Sequence, residues 1–259
     1  MHKDGASWSF QQPTQQVSQY IHILAPHPKA NVYTPKQAVV LFKKTGAKSL
    51  FIAGRHRDAF PMKRACVNHN YSKPDPTHEV VCLFYILPFI NCNLKDFTIG
   101  QAFLQCHKAI CLWQIANGGC PAPSCAYLQM HGKKSTTCSD VDIFLSAGLG
   151  TCLLLVRDFH ASHLTCAIIC VVNSSWYTKI PDSPVRQVKF QLETAIWPAR
   201  TIFLPSDNSC TLTATQNVFG RLLNGVPESS VCTLSSNNAS GEFIHIKQNS
   251  ASREDGWQH

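Results

Sequence analysis

Thr34-Pro35-Lys36-Gln37-Ala38-Val39-Val40-Leu41-Phe42-Lys43-Lys44-Thr45-Gly46-Ala47-Lys48-Ser49-Leu50-Phe51-Ile52-Ala53 is the stretch on which the fold turns. Thr34 suits a helix N-cap, Pro35 the first helical position, and Gln37 closes a capping box three residues after the cap. Ala38 to Lys44 continue that helix, and Gly46 suits its stop, because glycine adopts the left-handed conformation at no steric cost. Ser49 to Ala53 then read as a short buried strand. Helix, glycine and apolar strand make one αβ step.

Working outward, Tyr20 to Leu24 allow a short strand at the end of an otherwise polar stretch. Residues 54–78 carry basic, proline-containing loop chemistry, and Val80 to Ile90 fit a buried strand or helix equally well. A second helix spans Gly100 to Ala116. There Phe103, Cys106, Ile110 and Trp113 recur at three- and four-residue spacing, and Gly118-Gly119 end it. Residues 117–140 read as a loop broken by Pro121 and Pro123. Thr151 to Val156 and Leu164 to Val172 read as a buried hairpin. Gln187 to Leu192 alternate cleanly, with Val188, Phe190 and Leu192 on one face, as a half-buried strand does. Thr201–Leu204, Val218–Leu223 and Glu242–Ile246 are further short strands. The expected fold is α+β and irregular: two helices and several short strands between disordered termini. Residues 1–30 form a loose polar N-terminus, 31–228 a single α+β region, and 229–259 a polar, disordered C-terminus. No repeat appears.

Only 15% of the 259 residues are charged and 44% are hydrophobic, with 13 Cys and 12 His. Collagen-like, coiled-coil and globally disordered chains are excluded by that balance. The net charge of +8 is concentrated between Lys29 and Lys73, where Asp58 is the only acid. Such a stretch suits nucleic acid or an acidic protein, bound with release of counterions. Otherwise the partners are unknown. No apolar run reaches the roughly 18–20 residues of a membrane-spanning helix. No secretory leader is read at the N-terminus, so a cytoplasmic or nuclear chain with free thiols is expected.

Three constellations have the residue types of a metal site. The fullest is Cys106, His107, Cys111, Cys120, Cys125, His131 and Cys138. Zinc takes four thiolate or imidazole ligands, commonly as two close pairs, and each cysteine pair here has four intervening residues. Yet five positions on an ideal helix rotate Cys106 and Cys111 well apart. His160, His163, Cys166 and Cys170 form the second set; Cys66, His69 and His78 the third. Whether any cysteine binds metal stays open at this point. Nucleophilic candidates are Cys120 after Gly118-Gly119 and Cys152 after Gly148 and Gly150, with Asp158 and His160 as a carboxylate near an imidazole; no local signature links them. Gly46-Ala47-Lys48-Ser49 lacks the spacing of a phosphate loop and runs from helix to strand, the reverse order. Asp140 and Asp142 read as solvated. No catalytic residue and no cofactor are assigned.

Scarce carboxylates, abundant Cys, His, Ser and Pro, and few well-capped elements make the composition resemble that of orphan open reading frames. That likeness implies a recently arisen or doubtful coding sequence with no identifiable activity, and no enzyme. The alternative is a non-enzymatic Cys/His-rich zinc-binding protein or a basic nuclear interaction protein.

Overall fold

Residues 34–53 fold as their pattern dictates. In the computed structural model, α1 (Thr34–Thr45) ends on Gly46 at φ 61° and leads straight into β3 (Ala47–Ile52). The helix start differs by one residue. Tyr33 is the N-cap, at φ 72° and with no side-chain cap bond, while the Thr34 hydroxyl donates to the Asn31 carbonyl at 2.7 Å. Gln37 does not reach back to the cap. It is buried, and its Nε2 donates to Gln248 Oε1 at 3.1 Å and to the Ser252 carbonyl at 3.1 Å.

The structure describes residues 9–11, 19–54, 56–57, 77–78, 99–120, 125–157, 165–171, 174–195 and 200–254. The remaining strands are β1 (Ser9–Gln11), β2 (Gln19–Ala25), β4 (Cys125–Gly132), β5 (Ile143–Ser146), β6 (Thr151–Arg157), β7 (Thr165–Val171), β8 (Ile202–Phe203) and β9 (Phe243–Gln248). The remaining helices are α2 (Ile99–Ala116), α3 (Ser174–Lys179), α4 (Pro184–Thr194), α5 (Val218–Leu223) and α6 (Ser250–Glu254). Seven strands form one mixed sheet in the order β1-β3-β2-β4-β9-β5-β8. Its centre, β3-β2-β4-β9, is parallel, β5 runs antiparallel to β9, and β8 is parallel to β5. Parallel neighbours need a crossover, and α1 supplies the one between β2 and β3.

Both faces of the sheet are covered. One carries Ile23, Leu128, Met130, Leu145, Ile244 and Ile246, packed with Ala38 and Phe42 of α1, with Trp176 and Tyr177 of α3, and with Val185 of α4. The other carries Leu24, Phe51, Tyr127 and Phe243, packed with Leu104 and Ile110 of α2 and with Val218 and Phe219 of α5. This is an α/β fold, and it replaces the expected α+β arrangement of two helices, short strands and disordered termini.

The errors have particular causes. The supposed loop at 117–140 contains β4, every residue of which is buried; its Gln129 and His131 disguise a central strand. The supposedly disordered 229–259 contains β9, buried between β4 and β5, and α6. β2, at the end of the supposedly loose 1–30, is also central. Residues 218–223 are helical rather than extended. The alternation at 187–192 is accidental: α4 begins at Pro184 after Ser183 and buries Val185, with Val188 and Leu192 partly buried at helical spacing, leaving Phe190 60% exposed. Phe190→Gln is therefore expected to change the unfolding free energy read from urea denaturation by no more than about 0.5 kcal/mol, as surface substitutions do. A loss of several times that size would mean that Phe190 faces a core after all.

The β6–β7 hairpin forms as expected, antiparallel, pairing Cys152 with Cys170 and Val156 with Cys166. The apolar stretch 80–90 lies outside the described residues. No helix among the described residues is long and apolar enough to cross a membrane.

Candidate functional site

The second face of the sheet changes character toward the carboxyl ends of its parallel strands. It begins aromatic: His22 stacks on Tyr127 at 4.6 Å, and Phe219 of α5 meets Tyr127 and Phe243 edge-on. One row further along, the cross-strand partners Gln129, His245 and Ser146 lie side by side on β4, β9 and β5. All three are buried. Beyond them come His131, at the end of β4, and His27, in the turn after β2. The rings form a chain: His27 to His131 at 4.9 Å, and His131 to His245 at 4.4 Å between centroids. In open α/β sheets this edge, where neighbouring connections diverge, is where ligands bind.

Hydrogen bonds orient the cluster. Asn217 caps α5 by accepting from the Gly220 amide at 2.9 Å, and its Nδ2 donates to Gln129 Oε1 at 2.7 Å. α5 can approach this closely only because residue 220 is glycine: a Cβ there would sit 2.5 Å from the Phe243 ring. His131 Nε2 lies 3.2 Å from the same Gln129 oxygen. An amide oxygen only accepts, so Nε2 carries the proton in that bond and Nδ1 is the acceptor nitrogen. His78 Nδ1 likewise lies 3.0 Å from the Gln216 carbonyl, which makes its Nε2 the acceptor. Among the described residues, Gln129 Nε2, His245 Nδ1 and Ser146 Oγ have no hydrogen-bond partner. Buried groups of this kind each cost about 1–3 kcal/mol unless something satisfies them.

Burial holds the His245 imidazole well below its ordinary titration range, helped by the charges of Lys247, His78 and His27. His22, buried beside Ser49 Oγ at 2.8 Å, is lowered to about 4, chiefly by burial and further by Lys48, with the Gln114 side chain partly offsetting. Neutral imidazoles are the form that ligates metals.

The sequence-derived sets fare differently. The seven-residue Cys/His set is dispersed. Cys120 is bonded to Cys125 and Cys138 to Cys210, contrary to the expectation of free thiols. Cys106 and Cys111 are reduced, with both thiols pushed up by burial, and His107 packs edge-on against Phe51 and Phe219. Only His131 of that set reaches the candidate site. As a disulfide half, Cys120 is no nucleophile. Cys66, His69, Asp158, His160 and His163 lie outside the described residues. Gly46-Ala47-Lys48 is a helix stop followed by β3, with Lys48 Nζ 4.4 Å from the Trp113 ring centroid. Asp140 and Asp142 are structural: Asp142 Oδ2 accepts from the Thr201 amide at 2.9 Å, and the Asp140 carbonyl accepts from the Thr201 hydroxyl at 3.0 Å, together pinning β8 beside β5. His27 and His245 were not singled out by sequence reasoning. No local signal marks them, since His245 lies inside β9 and His27 follows Pro26 after β2.

Among the described residues, no three His, Cys, Asp or Glu side chains already gather their donors around one point. Holding an ion here therefore requires imidazole rotation.

No family model matches the chain, and no curated protein matches it. Among solved structures it is similar to gene product Atu2144 from Agrobacterium tumefaciens, at 11% identity over 97% of this chain and 86% of that one, with a TM-score of 0.46. A likeness that weak carries no argument about function.

Proposed function

We propose that this chain is a non-enzymatic metal-binding protein whose buried imidazoles take a divalent ion of the zinc class. The observation that carries the reading is the fixed tautomers: His131 and His78 each donate one ring N–H to an amide oxygen, the outer-shell arrangement typical of metal-ligating histidines. Spacing supports it. Two imidazoles on one tetrahedral zinc, with bonds of about 2.1 Å, have centroids about 5 Å apart. The observed separations are 4.9 and 4.4 Å. The ligands would come from His27, His131, His245 and His78, in place of the cysteine-rich set expected from sequence. Binding rather than catalysis is proposed because the described contacts set these rings against one another and against amide oxygens, with no activated nucleophile beside them. A cytoplasmic or nuclear location remains part of this proposal.

Zinc titration by calorimetry tests it. Replacing His131 and His245 together by Ala is expected to weaken zinc at least tenfold, and Gln129→Leu ten- to a hundredfold. Cys106→Ser with Cys111→Ser is expected to leave the affinity unchanged. Zinc binding that ignores the histidine variants sinks the proposal.

A second reading concerns the basic stretch 29–73, proposed to meet nucleic acid or an acidic protein. Its support is the placement of Lys36, Lys43 and Lys44 along one groove.

A further inference from the structure

α1 and α6 flank an open groove of about 440 Å³. Lys36, Val40 and Lys43 line it at helical spacing, so they share one side of α1, and Lys44 adds a third ammonium. Arg253 contributes a fourth cation from α6. Its guanidinium is held in place: Nε donates to the Asn249 carbonyl at 3.2 Å, Nη1 to the Val32 carbonyl at 2.6 Å and Nη2 to Ser250 Oγ at 3.2 Å. Glu254 is the one acid in the lining. Among the described residues, no carboxylate pairs with Lys36 or Lys43.

Tyr33 also lines this groove, and its backbone is strained. It sits at φ 72°, where a bulky side chain is a genuine outlier. Burial does not compensate, for the residue is 41% exposed. Nor does capping, since its side chain makes no cap bond. An exposed aromatic ring held in a strained backbone beside four cations offers a stacking face next to phosphate-binding charge. The volume lies within the range of small-molecule sites.

We infer that this groove binds a nucleotide unit, with the base on Tyr33 and the phosphate on Lys36, Lys43 and Arg253. The inference rests on the second reading above and narrows it: an acidic peptide would use the lysines but has no use for the ring. The same unit comes from a free nucleoside phosphate or from a single strand.

The test uses the full chain with three probes: adenosine monophosphate, a short labelled oligothymidylate, and a labelled poly-glutamate peptide. Oligothymidylate affinity is expected to fall with salt at a log–log slope of about −2, from Lys36, Lys43 and Arg253 at about 0.7 each. Lys36→Gln with Lys43→Gln is expected to flatten that slope to about −0.7. Tyr33→Asn removes the stacking face while Asn tolerates the left-handed backbone. It is expected to weaken the strand at least fivefold, with an unchanged or raised melting temperature. Adenosine monophosphate binding as tightly as the strand, and lost in the same variants, identifies a free nucleotide; the strand binding far more tightly identifies a polymer. Either supports the inference. Poly-glutamate binding equally well, with Tyr33→Asn silent, overturns the nucleotide and leaves the basic-stretch reading standing. Binding of no probe removes both.

Discussion

Reduction of the Cys138–Cys210 disulfide is expected to cost about 4 kcal/mol of stability. The bond joins residues 72 apart, tying the segment before β5 to the segment after β8. Cross-linking so long a loop removes conformational freedom chiefly from the unfolded chain, and the loop-closure relation gives about 4 kcal/mol at this length. The bonded cysteines pack with buried Val141 and Phe144, so the link closes over an apolar cluster. Cys120–Cys125 spans only five positions, and the same relation gives it about 2 kcal/mol. Urea midpoints with and without reductant, for the wild type and for Cys138→Ser with Cys210→Ser, isolate the contribution of this bond. In oxidising buffer the double variant should be about 4 kcal/mol less stable than the wild type. Equal midpoints in oxidised and reduced wild type would show these thiols unpaired in solution. In a reducing compartment the fold would have to stand without this margin.

Acidification from about pH 7 to about pH 4 is expected to remove about 3 kcal/mol through His22 alone. In the folded chain its titration is lowered from 6.5 to about 4. Above the unfolded value both states hold a neutral ring, and stability is at its plateau. Below it the unfolded chain takes up a proton that the folded chain refuses until about pH 4, so unfolding gains about 1.4 kcal/mol for each unit of pH across that window. Burial gives His245 a shift of the same sign. The observable is the urea midpoint followed from pH 8 down to pH 4.5. It should fall below about pH 6.5, and His22→Gln should fall less steeply. A midpoint flat across that range would mean that His22 stays in contact with water.

Local signals were legible where one element decides its own structure. The Pro35 start, the Gly46 stop and the apolar run after it produced α1 and β3 within two residues. The β6–β7 hairpin was also legible, because its strands pair locally. What escaped was set by distant partners. β4 carries Gln129 and His131 on a buried face, a pattern tolerable only because Asn217, almost ninety positions away, donates to Gln129. α4 showed a period of two because Phe190, an apolar residue, happens to stand on its wet side. The histidine cluster was invisible for the same reason. Its members come from β4, β9 and the turn after β2, and only sheet order makes them neighbours.

That sheet order also dictates when the protein can form. β9 lies between β4 and β5 although it follows both in the chain, and it bonds to each along its length. During synthesis β4 and β5 emerge first and wait, on the order of ten seconds, for the strand that joins them. Until Phe243 to Gln248 clear the ribosome, two buried strands expose open edges, the condition under which nascent chains recruit chaperones or pair with one another. A stop codon before Phe243 should therefore yield an aggregating polypeptide instead of a shortened domain. Folding should be slow and governed by non-local pairing.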